Sequence, residues 1–108
     1  MRDETPPAPD RSLVLGMASG DARALRELMR RHGASVYALA YGILVDTADA
    51  DDVVAETFEY AWRTATRFIE RASGSVFNWL TTIARSRAHG SLQARQWPGR
   101  LVMRTGVS

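Results

Sequence analysis

Between Leu25 and Leu44 the apolar residues fall at steps of three and four: Leu25, Leu28, Met29, Val36, Leu39, Ala40, Ile43 and Leu44. That spacing gathers them into one stripe of an α-helix, whereas a strand would scatter them over both faces. Two further segments repeat the pattern. One carries Val54, Phe58, Ala61, Trp62 and Ala65; the other carries Val76, Trp79, Leu80, Ile83 and Ala84, with Arg87 on the same side. No segment alternates with period two for long enough to argue a strand. The chain is therefore predicted to be all-α: a compact bundle of three long helices plus a short N-terminal one.

Local signals set the boundaries. Residues 1–10 hold three prolines and little to bury, and are expected to form a disordered tail. Asp10 or Ser12 caps a short helix through Leu13, Val14, Leu15 and Met17, which stops at Gly20. Asp21 caps the second helix. Gly33 and Gly42 either weaken that helix by about 1 kcal/mol each or allow close helix packing. Asp46–Asp49 reads as a turn and cap, and the third helix is expected to run to about Arg67. Phe68–Ser75, with Gly74 between two serines, reads as a loop, and Ser75 caps the fourth helix. That helix frays beyond Gly90 or ends near Gln96, where Pro98-Gly99 closes it. Phe58, Trp62, Phe77, Trp79 and Tyr37 or Tyr41 supply aromatic bulk to the core, and Trp97 lies outside the pattern.

Charge is distributed unevenly over these helices. Asp46, Asp49, Asp51, Asp52, Glu56 and Glu59 crowd one segment that has no base before Arg63. From Arg71 onward there are six arginines (71, 85, 87, 95, 100 and 104) and no acid. Acids in a first helical turn interact favourably with the positive end of the helix dipole, so part of the acidic cluster has a local cause. Asp52, Glu56 and Glu59, at steps of four and three, also suit a patch for a basic partner. Arg85, Arg87 and Arg95 have no acid on their own helix, and phosphate contact is the natural use of such a group. Ser86, His89 and Gln93 share one side at helical spacing, within reach of base edges or sugars. The net charge of +2 is small; its segregation is what selects partners.

Composition excludes several alternatives. The 108 residues allow one domain with a modest core. Without cysteine there is neither a disulfide framework nor a thiolate metal site, and His32 and His89 form no ligand pair. No apolar run approaches the roughly 20 residues that span a bilayer, and the N-terminus does not resemble a signal peptide. A soluble, cytoplasmic protein without membrane insertion is expected. Paired histidines, a phosphate-cradling glycine loop and a nucleophile–base arrangement are all missing, so no catalytic residue, metal or cofactor is assigned.

Three fragments, in order and in register, carry a family resemblance across residues 11–96. Leu13-Val14, Ala18-Ser19-Gly20-Asp21, Leu25, Leu28 and Arg31 resemble the opening of bacterial extracytoplasmic-function sigma factors. Asp49-Ala50-Asp51-Asp52-Val53-Val54, Glu56-Thr57-Phe58 and Ala61-Trp62 resemble their polymerase-docking helix. Phe77, Trp79-Leu80, Ile83-Ala84-Arg85 and Arg87-Ala88 resemble their promoter-reading helix. The resemblance implies the second conserved region of a sigma factor, with residues 97–108 starting an interdomain linker. No counterpart of the family's second domain is seen.

The same resemblance implies the partners and the sites. Asp49, Asp52, Val53, Ala55, Glu56 and Glu59 would dock on the clamp helices of the RNA polymerase beta-prime subunit. Arg71, Ser73, Gly74 and Ser75 would capture a base flipped from the non-template strand of the minus-ten promoter element. Arg85, Ser86, Arg87, His89, Gln93 and Arg95 would contact the adjoining promoter DNA, and an anti-sigma factor is a further expected partner. The chain departs from the family pattern at Ala55, where glutamine is usual, at Ser86 in place of asparagine and at Gly90 in place of aspartate. Its basic tail is also thinner. Ser86, Gly90 and the thinner tail favour an alternative: a sigma-like protein–protein interaction domain that binds polymerase or an anti-sigma factor without reading a promoter.

Overall fold

A computed structural model describes residues 7–96, with the Trp97 and linker expectations lying outside that range. Four helices make up the described residues: α1 (Asp10–Ala18), α2 (Ala22–Leu44), α3 (Thr47–Arg71) and α4 (Val76–Gln96). Helix α3 packs against each of α1, α2 and α4. The predicted all-α bundle of three long helices and a short leading one is what forms.

Caps account for most of the boundaries. The Asp21 carboxylate accepts from the Arg23 amide at 2.9 Å and starts α2. Asp46 accepts from the Asp49 amide at 2.8 Å and starts α3, and the Ser75 hydroxyl accepts from the Asn78 amide at 3.1 Å ahead of α4. Helix α1 is closed by Gly20, whose amide donates to the Met17 carbonyl at 2.9 Å and whose φ of 88° turns the chain so that the Asp21 amide reaches the Gly16 carbonyl at 2.9 Å. Its start differs from expectation. Pro9 occupies the cap position without a side-chain bond. Asp10 instead turns its carboxylate to Arg31 (3.0 Å) and His32 (2.7 Å) on α2. Asp10, placed at the end of the tail by its sequence, is thus the first residue of α1.

The core gathers Val14, Leu28, Val36, Leu44, Val53, Phe58 and Leu80, all at most 2 % exposed. Each such side chain contributes about 1.5–3 kcal/mol of burial free energy. Phe68 and Trp79 stack at 4.2 Å, which holds Phe68 in the helix and carries α3 four residues past Arg67, to Arg71. The loop is correspondingly shorter than expected.

Leu15, Met29, Tyr41, Val45 and Phe77 do not enter the core. Phe77, the second residue of α4, is 40 % exposed, with its ring 5.5 Å from that of His32 on α2. Met29 is 39 % exposed, on the edge of the α2 stripe that α3 leaves uncovered. Gly33 and Gly42 permit no close packing, for a Cβ at either would meet open space. Gly16 does: a Cβ there would lie 3.0 Å from that of Ala24, so α1 approaches α2 through this glycine.

Polar contacts join α1 and α2. Glu27 accepts from Arg30 at 2.7 Å and from Arg31 at 3.0 Å, and these two guanidinium groups hold its carboxyl at about 2, well below the usual carboxylate range. Arg31 continues to Asp10, so Arg30, Glu27, Arg31 and Asp10 form one network.

Candidate functional site

The exposed acids of α3 form a ridge with a groove on either side. Asp51, Asp52, Ala55, Glu56 and Glu59 are exposed, and Asp49 is half-buried. On the α2 side, Ala55 and Glu59 border an apolar groove of about 430 Å³ with Leu25, Met29, Phe58 and Trp62. On the α4 side, Glu56 borders a more polar groove of about 760 Å³ with Tyr60, Thr82, Ser86, Arg87 and Gly90. Glu56 and Glu59 therefore share a ridge but face different surroundings. Glu59 also pairs with Arg63 at 3.1 Å. Val53, placed on this surface by its sequence, is only 2 % exposed; it packs in the core and holds the ridge from beneath.

The promoter-helix candidates divide into two groups. Arg85, Ser86, His89 and Gln93 are exposed along one strip of α4, and no ion pair engages Arg85 among the described residues. Arg87 and Arg95 have internal partners. Arg87 is half-buried, its guanidinium 5.2 Å from the centre of the Tyr60 ring, as an amphipathic side chain with a buried stem requires. Arg95 donates to the Leu44 carbonyl at 2.8 Å and lies 3.4 Å from Asp49. The Asp49 contact joins two residues that their sequence positions assign to opposite surfaces.

The loop candidates are separated by the longer α3. Arg71 is the last residue of that helix rather than part of the loop. Ser73, Gly74 and Ser75 are exposed, with the Ser75 hydroxyl engaged in capping α4. Below them Tyr60, Thr64, Arg67, Phe68, Arg71 and Trp79 line a cleft of about 220 Å³. Tyr60 and Arg67 are additions that the charge pattern alone does not single out. Residues 60, 64, 67 and 71 follow steps of four, three and four, and that stripe was the available signal. Tyr60 borders both grooves along α4.

No group of three or more acidic or histidine side chains among the described residues can hold a metal. No described helix is long and apolar enough to cross a membrane.

The four-helix domain thus exposes a run of acids on α3 and, on α4, a strip that carries Arg85. The model of sigma-70 region 2 matches residues 28–98, and the chain belongs to that family. It is similar to the ECF RNA polymerase sigma factor SigK of Mycobacterium tuberculosis (strain H37Rv), with 29 % identity over 97 residues, 90 % of this chain and 51 % of the relative. The RNA polymerase sigma factor CnrH of Cupriavidus metallidurans is 42 % identical over 53 residues, 49 % of this chain and 28 % of its own length. The RNA polymerase sigma factor NccH of Alcaligenes xylosoxydans xylosoxydans is 38 % identical over 58 residues, 54 % of this chain and 31 % of its own length. The chain thus spans about half the length of SigK and less of the other two. No solved structure matches it.

Proposed function

We propose that this chain is the sigma-factor domain that docks on the core RNA polymerase and reads the minus-ten element of a promoter. The α3 ridge would meet the beta-prime clamp helices. Asp52, Glu56 and Glu59 would steer a basic partner and fix its register, while Leu25, Met29 and Trp62 would provide apolar contact. Ser73, Gly74 and Ser75, with Arg71 beside them, would receive an unstacked base. Arg85 would hold phosphate, and Ser86, His89 and Gln93 would face base edges or sugars.

The observation that carries this reading is the separation of the two charged surfaces. Asp49–Arg95 is the single ion pair between α3 and α4 among the described residues. Apart from Glu59, which pairs with Arg63 on its own helix, the rest of the ridge and the exposed strip of α4 have no ion-pair partner among the described residues. A pull-down with core polymerase, paired with anisotropy of labelled single-stranded minus-ten DNA, tests the reading. Binding to both supports it, and binding to neither removes it.

A second reading keeps polymerase or anti-sigma binding without promoter recognition. It is favoured by Glu56 lying in the α4 groove, where its charge repels phosphate, and by the engagement of Arg95 with the Leu44 carbonyl and Asp49. Polymerase binding without DNA binding would decide for it.

A further inference from the structure

We propose that the first turn of α1 is a clamp on the Ser73–Ser75 loop, with Arg11 as the positioning residue that sets how sharply the loop distinguishes one base from another. The proposal rests on the DNA-reading role given to that loop above.

The loop has little to hold it from within. Its three residues are exposed, and a Cβ at Gly74 would touch nothing within 4 Å. A receptor for a flipped base has to be ordered beforehand, because ordering it on binding subtracts from affinity. The order must come from the flanks.

Arg11 holds the α3 flank. Its Nη1 donates to the Ala72 carbonyl at 3.1 Å and its Nη2 to the Ile69 carbonyl at 2.9 Å. Both carbonyls belong to the end of α3, where intrahelical donors run out and a cation suits the negative end of the dipole. The same guanidinium lies 5.5 Å from the centre of the Phe68 ring, which itself stacks on Trp79. The contacts reach across 58 and 61 residues of sequence to the position just before Ser73.

Asp10 holds the α4 flank through His32. Its carboxylate lies 2.7 Å from His32 Nε2, and the His32 ring meets Phe77 at 5.5 Å, two positions after the capping Ser75. Arg31 fixes the other oxygen of Asp10 at 3.0 Å. Adjacent residues of one short helix thereby brace the loop from both sides. A simple cap on α3 would need only Arg11.

The test uses the whole chain with Arg11→Ala and Arg11→Lys. Amide hydrogen exchange is read at Ala72–Val76, and binding is read with a fluorescein-labelled, sequence-randomised single-stranded DNA pool. Losing two charge-assisted hydrogen bonds should speed exchange in the loop by about tenfold or more in Arg11→Ala. The preference for one base at one position of the selected sequences should flatten, with affinity for the unselected pool within about twofold, since phosphate contacts on α4 are untouched. Arg11→Lys keeps the charge and a single donor nitrogen in place of the guanidinium fork, and should restore most of the preference. Unchanged exchange in Arg11→Ala overturns the clamp. Faster exchange with an intact base preference overturns the positioning role. A wild-type chain that selects no sequence removes the DNA-reading role itself, while the exchange measurement still decides whether Arg11 holds the loop.

Discussion

Arg95 Nη2 lies 3.4 Å from the Asp49 carboxylate and donates to the Leu44 carbonyl at 2.8 Å. Leu44 ends α2, so its carbonyl has no donor within the helix. The contact ties the tail of α4 to the junction between α2 and α3. Arg95→Ala is expected to cost about 1–2 kcal/mol, towards the low end for a hydrogen bond to a charged group because the side chain is partly exposed. Thermal unfolding followed by circular dichroism should show a lower Tm. DNA affinity should fall less than for Arg85→Ala, and a larger fall would return Arg95 to the DNA surface.

Arg85 projects from the exposed strip with no internal ion pair. Arg85→Ala should weaken DNA binding to a similar degree for all sequences. The slope of log affinity against log salt should become shallower by about 0.7 for one single-strand phosphate contact. A titration series in sodium chloride measures both, and an unchanged slope would exclude phosphate contact.

Charge reversal of the ridge, Asp52→Lys with Glu56→Lys, should abolish binding to core polymerase and leave the helical spectrum unchanged, because both residues are exposed. Met29→Glu should weaken the same interaction by placing a charge beside the apolar groove. If the double variant still captures core polymerase at wild-type levels, the ridge is not the docking surface.

Thr57 is fully buried and its hydroxyl has no partner among the described residues. Thr57→Val keeps the shape and removes the unsatisfied group. Stability should rise by about 1 kcal/mol, read as a higher midpoint in urea with an unchanged slope. A loss of stability would mean that the hydroxyl finds a partner in solution.

Val45 follows α2 with φ 51° and ψ 44°, the left-handed region that a β-branched residue adopts only under strain. Its side chain is 68 % exposed, so little packing would be lost on truncation. Val45→Gly should gain about 1 kcal/mol by relieving the conformation. The same urea titration checks it, and a loss would show that the valine side chain contributes more than its exposure suggests.

Where neighbouring residues supply the cause, structure was legible in the chain. Asp21, Asp46 and Ser75 cap helices by bonds that reach only two or three residues forward. Steps of three and four placed the long helices for the same reason: the period of a helix is local. The family fragments added register, and with it the two charged surfaces.

Other features depend on which side of a stripe a neighbouring helix covers. Phe77 and Met29 have the composition of core residues and remain exposed, while Val53 lies beneath the ridge it was expected to help form. Phe68 stays helical because it stacks on Trp79, eleven residues away in sequence. Arg11 and Arg95 find carbonyl partners 58 and 51 residues distant, and Asp10 finds Arg31 and His32. The chain itself determined that helices form, roughly where they begin, and that their charges are segregated. Only the packed bundle decided which of those charges stay free, because a guanidinium or carboxylate pairs with whatever group the fold brings within about 3 Å.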